Sequence, residues 1–388
     1  MSNWIPPFER LDPVQRAFVT NYRNGNVCLH GYPGSGKSIL LVYLLRRLRQ
    51  EQPNLEYGVV SYTHALADLF RTGFNELGMG TSSIPVMTQF ELQKSGRMFD
   101  YIFCDEIQDL SPETLNMIRS RARKYVIAAG DTNQSIYILD PLSNTAPVVG
   151  DQASQVLNAS RTHLNIIYRL TRSVISAVKL LMPRMSANWT AMDDITHEDV
   201  QIKLRKEISV EEECRFIYKN ALEYCSNEER TAILLPTHKN ILSFVNQVLV
   251  NNGKAPWAVR NNEYNRPDYD AMNAYLKAQG IKMMYVGNKY GSLYQAEQQN
   301  MIVVMTYASS KGLDFVNVYM PFLTRDLWIA PDAQKSQNTF MVAMTRSSKR
   351  LMMSYTGLPT AYLSSFSNTC SFRDMTRTQN STGRSLFG

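Results

Sequence analysis

The stretch Gly31-Tyr32-Pro33-Gly34-Ser35-Gly36-Lys37-Ser38 follows the pattern G-x-x-x-x-G-K-S. An apolar run, NVCLHG (26–31), leads into it, and a helical pattern, SILLVYLLRRLRQ (38–50), leads out. Strand, glycine-rich turn and helix in that order build a cradle for phosphates. The glycines let backbone amides converge on phosphate oxygens, and the helix N-terminus adds its positive end. The pattern assigns backbone contacts to Gly34, Ser35 and Gly36, the outer phosphates to Lys37 and a Mg²⁺ ion to the Ser38 hydroxyl. A chance glycine turn would lack the strand on one side and the helix on the other.

The chain outward from this loop alternates apolar runs with helical stretches. YGVVSY (57–62), IPVMT (84–88), FDYIFCD (99–105) and YVIAAGD (125–131) read as further buried strands. Continuous apolar strands separated by helices predict an α/β fold, a mostly parallel sheet covered on both faces. The run FDYIFC ends in Asp105-Glu106. Nucleotide hydrolysis needs one carboxylate to hold the metal and one to orient the attacking water, so the pair is a candidate catalytic element. The rhythm restarts with VQIKLR (200–205), TAILLP (231–236), MIVVMTY (301–307), VNVYMP (316–321) and RLMMSY (350–355). We expect a first α/β domain over 1–155 and a second over 156–360, with a small insertion at 254–300 and a flexible tail at 361–388.

At 388 residues the chain exceeds the roughly 250–300 that a single core usually supports. Hydrophobic residues make up 44% and charged residues 19%, with a net charge of +7, which suits a polyanionic partner without requiring one. The five cysteines form no C-x-x-C pair, which argues against a zinc site or a disulfide framework. MSNWIPPFERLD lacks the pattern of a secretory signal, and no run approaches the ~18 apolar residues of a membrane span. The expectation is a soluble cytoplasmic protein.

Beyond the phosphate loop, several segments resemble the superfamily 1 helicases of the UvrD/Rep/PcrA group. Asp105-Glu106-Ile107-Gln108-Asp109 is similar to their D-E-x-Q-D box, and Gly130-Asp131-Thr132-Asn133-Gln134-Ser135-Ile136-Tyr137 to their G-D-x-x-Q-S-I-Y. Leu11-Asp12-Pro13-Val14-Gln15, Tyr168-Arg169, TYASSKGLDF (306–315) and Val342-Ala343-Met344-Thr345-Arg346 follow the family's order. The resemblance covers residues 11–355 and implies two RecA-like domains that bind and hydrolyse ATP with Mg²⁺. It implies that Lys37, Asp105, Glu106 and Gln134 act on the phosphates, with Arg169 and Arg346 as arginine fingers. Gln15 and Tyr168 would meet the adenine, Gly312 and Asp314 would lie at the nucleotide, and Ser38 and Asp105 would hold the metal. Tyr62, Thr63, Thr88, Tyr137 and Thr306 would face single-stranded DNA, or RNA.

The chain departs from the family in ways that bear on function. Lys37 and Asp105 stand 68 positions apart and Pro236 and Thr306 70, intervals in which the UvrD-like proteins carry large insertions. Leu139 and Asp140 replace an aromatic ring and a cation, Ala308 stands where the family has His, and Ile39 where many relatives have Arg. The leading expectation is an ATP-driven helicase or translocase moving 3′ to 5′ on single-stranded DNA. The alternative is a nucleic-acid-triggered ATPase switch serving a partner such as a nuclease, in repair or phage defence. A non-hydrolysing scaffold is disfavoured by the complete set of phosphate-directed residues.

Overall fold

The computed structural model describes residues 4–31, 34–80, 84–130, 139–164, 171–181, 199–262, 265–363, 366 and 370–376. The chain divides into two compact units, with the division between Leu164 and Thr171.

The first unit holds β1 (Val27–Gly31), β2 (Tyr57–Ser61), β3 (Val86–Thr88), β4 (Phe99–Cys104), β5 (Ala122–Gly130) and β6 (Ser160–Leu164). They form one sheet in the order β3-β2-β4-β5-β1-β6, with every pairing parallel. Its helices are α1 (Pro13–Asn21), α2 (Lys37–Glu51), α3 (His64–Glu76), α4 (Gln89–Ser95), α5 (Pro112–Ser120) and α6 (Gln152–Leu157). Strand side chains alternate between two cores. Leu29, Val59, Phe103 and Ile127 pack with Leu40, Leu44 and Phe74 on one face. Cys28, Val60, Cys104 and Val126 pack with Leu115, Ile118 and Leu157 on the other. Burial of both faces is why these strands read as unbroken apolar runs.

The helices start where the sequence supplies caps. Asp12 closes a capping box with Gln15 ahead of α1, with Pro13 at the first helical position. Thr63, Thr88 and Ser111 cap α3, α4 and α5 through their hydroxyls. In a parallel sheet these caps gather at the carboxyl edge, where each strand hands over to its helix.

The second unit contains α7 (Arg172–Leu181), β7 (Gln201–Glu207), α8 (Val210–Ser226), β8 (Thr231–Leu235), α9 (His238–Asn251), α10 (Tyr269–Ala278) and β9 (Met283–Tyr285). It continues with α11 (Leu293–Gln298), β10 (Ile302–Thr306), β11 (Phe315–Met320), α12 (Ala333–Met344), β12 (Ser347–Thr356) and β13 (Ser371–Asp374). The seven strands run parallel in the order β13-β7-β12-β11-β8-β10-β9. Each unit is thus a parallel sheet flanked by helices.

Three boundaries differ from the expectation. The strand β6 pairs with β1, so the first unit runs past 155. The segment 254–300 is no separate insertion: Trp257, Met272, Leu276 and Met283 enter the second core, and β9 extends its sheet beside β10. The tail region contributes β13, which pairs with β7. All five cysteines are free thiols, and no described helix is long and apolar enough to cross a membrane.

One buried acid joins three parts of the second unit. Glu213 of α8 is fully buried, and its Oε1 accepts from the Ser354 hydroxyl of β12 at 2.6 Å and from the Phe322 amide beyond β11 at 2.9 Å. Burial pushes the Glu213 carboxyl up from its ordinary 4.5 to about 7, although both hydrogen bonds pull it down. Because the folded value lies above the unfolded one, this group favours folding most below pH 4.5, and that contribution is lost as pH rises through about 7. Glu213→Gln, a neutral isostere, should therefore melt above the wild type at about pH 8, with the gap closing by about pH 5. Equal melting temperatures across that range would show that Glu213 does not titrate against folding.

Candidate nucleotide-binding site

The strand β1 delivers the phosphate loop, and close packing dictates its glycines. A Cβ on Gly31 would lie 2.5 Å from Ser35 Oγ and 3.0 Å from Leu164 Cβ. Gly36 precedes α2 at φ 86°, and a Cβ there would meet Gln15 Nε2 at 2.8 Å. Lys37 opens α2, and its ammonium donates to the Gly31 carbonyl at 2.7 Å, spanning the loop. Ser35 is fully buried, and its hydroxyl finds no hydrogen-bond partner among the described residues. A donor left this way, beside a lysine and at the start of a 15-residue helix, fits an oxygen-rich anion such as a polyphosphate.

Gln15 holds the loop from behind. Its Nε2 donates to the Ser35 carbonyl at 2.9 Å, and its Oε1 accepts from the Asp12 amide at 3.1 Å. Each end of the amide keeps capacity for one further hydrogen bond, as reading an adenine edge requires.

The acidic side of the site comes from β4, and β5 lies between it and β1. Ser38 Oγ donates to Asp105 Oδ2 at 2.5 Å across that gap, and the Glu106 amide donates to Asp105 Oδ1 at 2.9 Å. Burial holds the Asp105 carboxyl well above the usual carboxylate range, and the neighbouring Glu106 adds to this, while Ser38 and Lys37 oppose it. Among the described residues no group of three His, Cys, Asp or Glu side chains could hold a metal. A serine hydroxyl with one carboxylate instead suits Mg²⁺, which takes few protein ligands and completes its shell with phosphates and water.

Glu106 sits at φ 58°, ψ 40°, a left-handed conformation uncommon outside glycine. At this turn Gln108 Nε2 donates to Glu106 Oε2. Gln108 is itself fully buried, and Gly130 at the end of β5 packs against it: a Cβ there would lie 2.5 Å from Gln108 Oε1. Gln108 thus holds the Glu106 carboxylate by a hydrogen bond. The D-E-x-Q-D box contained it, but the box gave it no role.

Other expected site residues stand elsewhere. The ring of Tyr62 is 8% exposed and packs with Val60, Met87 and Leu92, so it offers no stacking face. Thr63 caps α3, accepting from Leu66 N, and Thr88 caps α4 in a capping box with Glu91. Asp140 is fully buried and accepts from the Ser111 and Leu142 amides at 2.9 Å each. Asp140 thus staples its loop to the start of α5. In the second unit, Thr306 Oγ1 accepts from the Ser309 amide at 3.1 Å, Gly312 turns at φ 78°, and Asp314 pairs with Arg230 at 3.6 Å. Arg346 is buried, donating to the carbonyls of Val342 (2.7 Å) and Leu313 (3.2 Å) and to Thr345 Oγ1 (2.9 Å). Gln134, Tyr137, Tyr168 and Arg169 lie outside the described residues.

Because Gly130 touches both Gln108 and Ile107, Gly130→Ala should destabilise the first unit by about 1–3 kcal/mol through overpacking. Urea unfolding measures this, and a loss within about 0.5 kcal/mol would show that the turn yields freely.

The profile of the AAA domain family matches residues 20–137, which span the phosphate loop and both carboxylates. The chain also resembles the C-terminal domain of a possible DNA helicase from Lactobacillus plantarum WCFS1, at 13% identity and a TM-score of 0.34, covering 53% of this chain and 98% of that one. It resembles the DUF1998 helicase MrfA, solved bound to DNA, at 11% identity and a TM-score of 0.46, covering 92% of this chain and 52% of that one. The chain thus spans about half the length of MrfA. No curated protein matches the sequence. The first unit has the α/β architecture of RecA-like P-loop domains, and the second repeats the parallel α/β plan.

Proposed function

We propose that the chain is an ATP-hydrolysing motor of the UvrD-like type that moves along single-stranded DNA, 3′ to 5′. The observation that carries this reading is the constellation of Lys37, Ser38, Asp105, Glu106 and Gln108 at one sheet edge. In it Lys37 exchanges the Gly31 carbonyl for the outer phosphate oxygens, and Ser35 Oγ gains an acceptor. Ser38 and Asp105 would hold Mg²⁺, which when bound would supply positive charge to the phosphates. Glu106, oriented by Gln108, positions the attacking water and draws off its proton. Gln134, four positions after Gly130 in the sequence, would contact the terminal phosphate, as the resemblance implies.

Arg169 and Arg346 act as fingers in this proposal. Arg346 must then trade hydrogen bonds within its own unit for phosphate oxygens, so its engagement would register whether the triphosphate is intact. Fingers of this kind contribute about 10³–10⁵ in rate in well-studied systems.

A second reading is favoured by Asp140. A buried staple stands where the family places a groove cation, and the insertions are missing. On that reading nucleic acid triggers ATP-driven closure that is passed to a partner protein such as a nuclease.

Steady-state ATPase rates with no nucleic acid, single-stranded DNA, duplex DNA and RNA separate the two. The motor predicts strong stimulation by single strands that weakens with salt, is abolished in Lys37→Ala and falls by about 10²–10⁴ in Glu106→Gln. An unchanged rate in Glu106→Gln would sink the catalytic assignment. A rate indifferent to every nucleic acid would transfer support to the partner-controlled switch.

A further inference from the structure

At the amino edge of the first sheet, away from the phosphate loop, the chain gathers cations. Lys94 lies in the last turn of α4, Arg97 leads into β4, Arg119 and Arg121 end α5, and Lys124 stands near the start of β5. Hydrogen bonds bring these segments side by side. Arg121 Nη1 donates to the Gly96 carbonyl at 3.2 Å, and the Phe99 amide donates to the Arg121 carbonyl at 2.9 Å. The strand β5 runs nine residues from this edge to Gly130, so the cations stand roughly 25 Å from the phosphate-loop end of the sheet.

Carboxylates do not balance this charge. Glu56 and Asp100, which flank the same edge, both pair with Arg123. Glu91 and Glu113 stand in the first turns of α4 and α5, at the other ends of those helices. Among the described residues, none of Lys94, Arg97, Arg119, Arg121 and Lys124 forms an ion pair. Their guanidinium groups rest on uncharged partners instead: Arg121 on the Gly96 carbonyl, Arg119 Nη1 on the Leu157 carbonyl at 3.4 Å and Arg97 over the Phe99 ring at 5.1 Å. A guanidinium held this way keeps its full charge and has nitrogens left for an oxyanion. Lys94 and Arg119 also suit the negative ends of their helices, but Arg97 and Lys124 lie beyond the helices and have no such reason to be basic.

These segments expose no aromatic ring: Phe99 is buried beneath Arg97, and Met98 is the exposed apolar side chain beside it. The patch therefore offers contacts to phosphates and no platform for an unpaired base. We infer that this edge is a sequence-independent docking surface for duplex nucleic acid, separate from the single-strand track, with Arg97, Arg121 and Lys124 as phosphate contacts. The choice of nucleic acid over an acidic protein segment rests on the motor reading. A duplex held here would stay tethered to the chain while the opposite edge of the same sheet turns over nucleotide.

The test is fluorescence anisotropy of a labelled blunt DNA duplex and of oligothymidylate across salt concentrations, with single-strand-stimulated ATPase followed in parallel. A variant combining Lys94→Gln, Arg97→Gln, Arg121→Gln and Lys124→Gln should reduce the salt slope of duplex binding by about 3–4 and weaken it on the order of a hundredfold at low salt. Lys94→Gln with Lys124→Gln, both at exposed positions, should reduce the slope by about 2. Oligothymidylate affinity and stimulated ATPase should match the wild type in both variants, which also reports correct folding. A wild type that does not bind the duplex, or a fourfold variant with unchanged affinity and slope, overturns the surface. An equal loss of oligothymidylate binding overturns its assignment to the duplex. Displacement of the labelled duplex by polyglutamate as effective as that by unlabelled duplex of equal charge overturns the choice of nucleic acid. Duplex binding lost as expected in the variants, with an ATPase indifferent to single strands, sinks the motor reading and leaves the surface standing.

Discussion

The hydrogen bond from Ser38 to Asp105 crosses the carboxyl edge of the first sheet, from the helix after β1 to the end of β4. Neighbouring strands stand about 4.8 Å apart, so two groups separated by β5 meet only because both project beyond the sheet. Gly31 and Gly36 permit this on one side, letting the loop fold tightly enough to start α2 directly over the edge. On the other side the left-handed turn at Glu106 sends the chain sharply away after Asp105. The result places a desolvated carboxyl beside a lysine and a hydroxyl. Burial and the neighbouring Glu106 together raise its proton affinity.

The same edge gathers helix starts, which explains how residues of similar chemistry come to play different parts. Thr63, two residues past β2, and Thr88, at the end of β3, cap helices with the hydroxyls that the family resemblance assigns to nucleic acid. Asp140 staples a loop to the cap of α5. An orphan amide at a helix start needs an acceptor, and in the absence of a ligand the nearest side chain provides it. A short hydroxyl or carboxyl after a strand therefore carries two readings, and only its partners separate them.

The second unit distributes its polar groups differently. Its buried charges bind the framework: Glu213 ties α8 to β12 and to the strained Phe322, and Arg346 bonds to carbonyls of its own unit. The exposed chemistry lies on loops held in place by those ties.

The sequence by itself determined the phosphate loop, the paired carboxylates and the alternation of strands and helices in both units. These are written in short spans, since eight residues suffice for the loop and a buried parallel strand betrays itself as an apolar run. The strands β6 and β13 carry exposed polar side chains at the sheet margins, and β9 lies in a stretch rich in Asn, Tyr and Gln, so none of the three reads as a buried apolar run. Only the tertiary structure decided that Gln108 holds Glu106 beside Gly130, that Tyr62 turns inward and that Asp140 is a staple. Each depends on contacts between residues far apart in the chain, such as the 29 positions between Asp140 and Ser111, and local pattern carries no record of those.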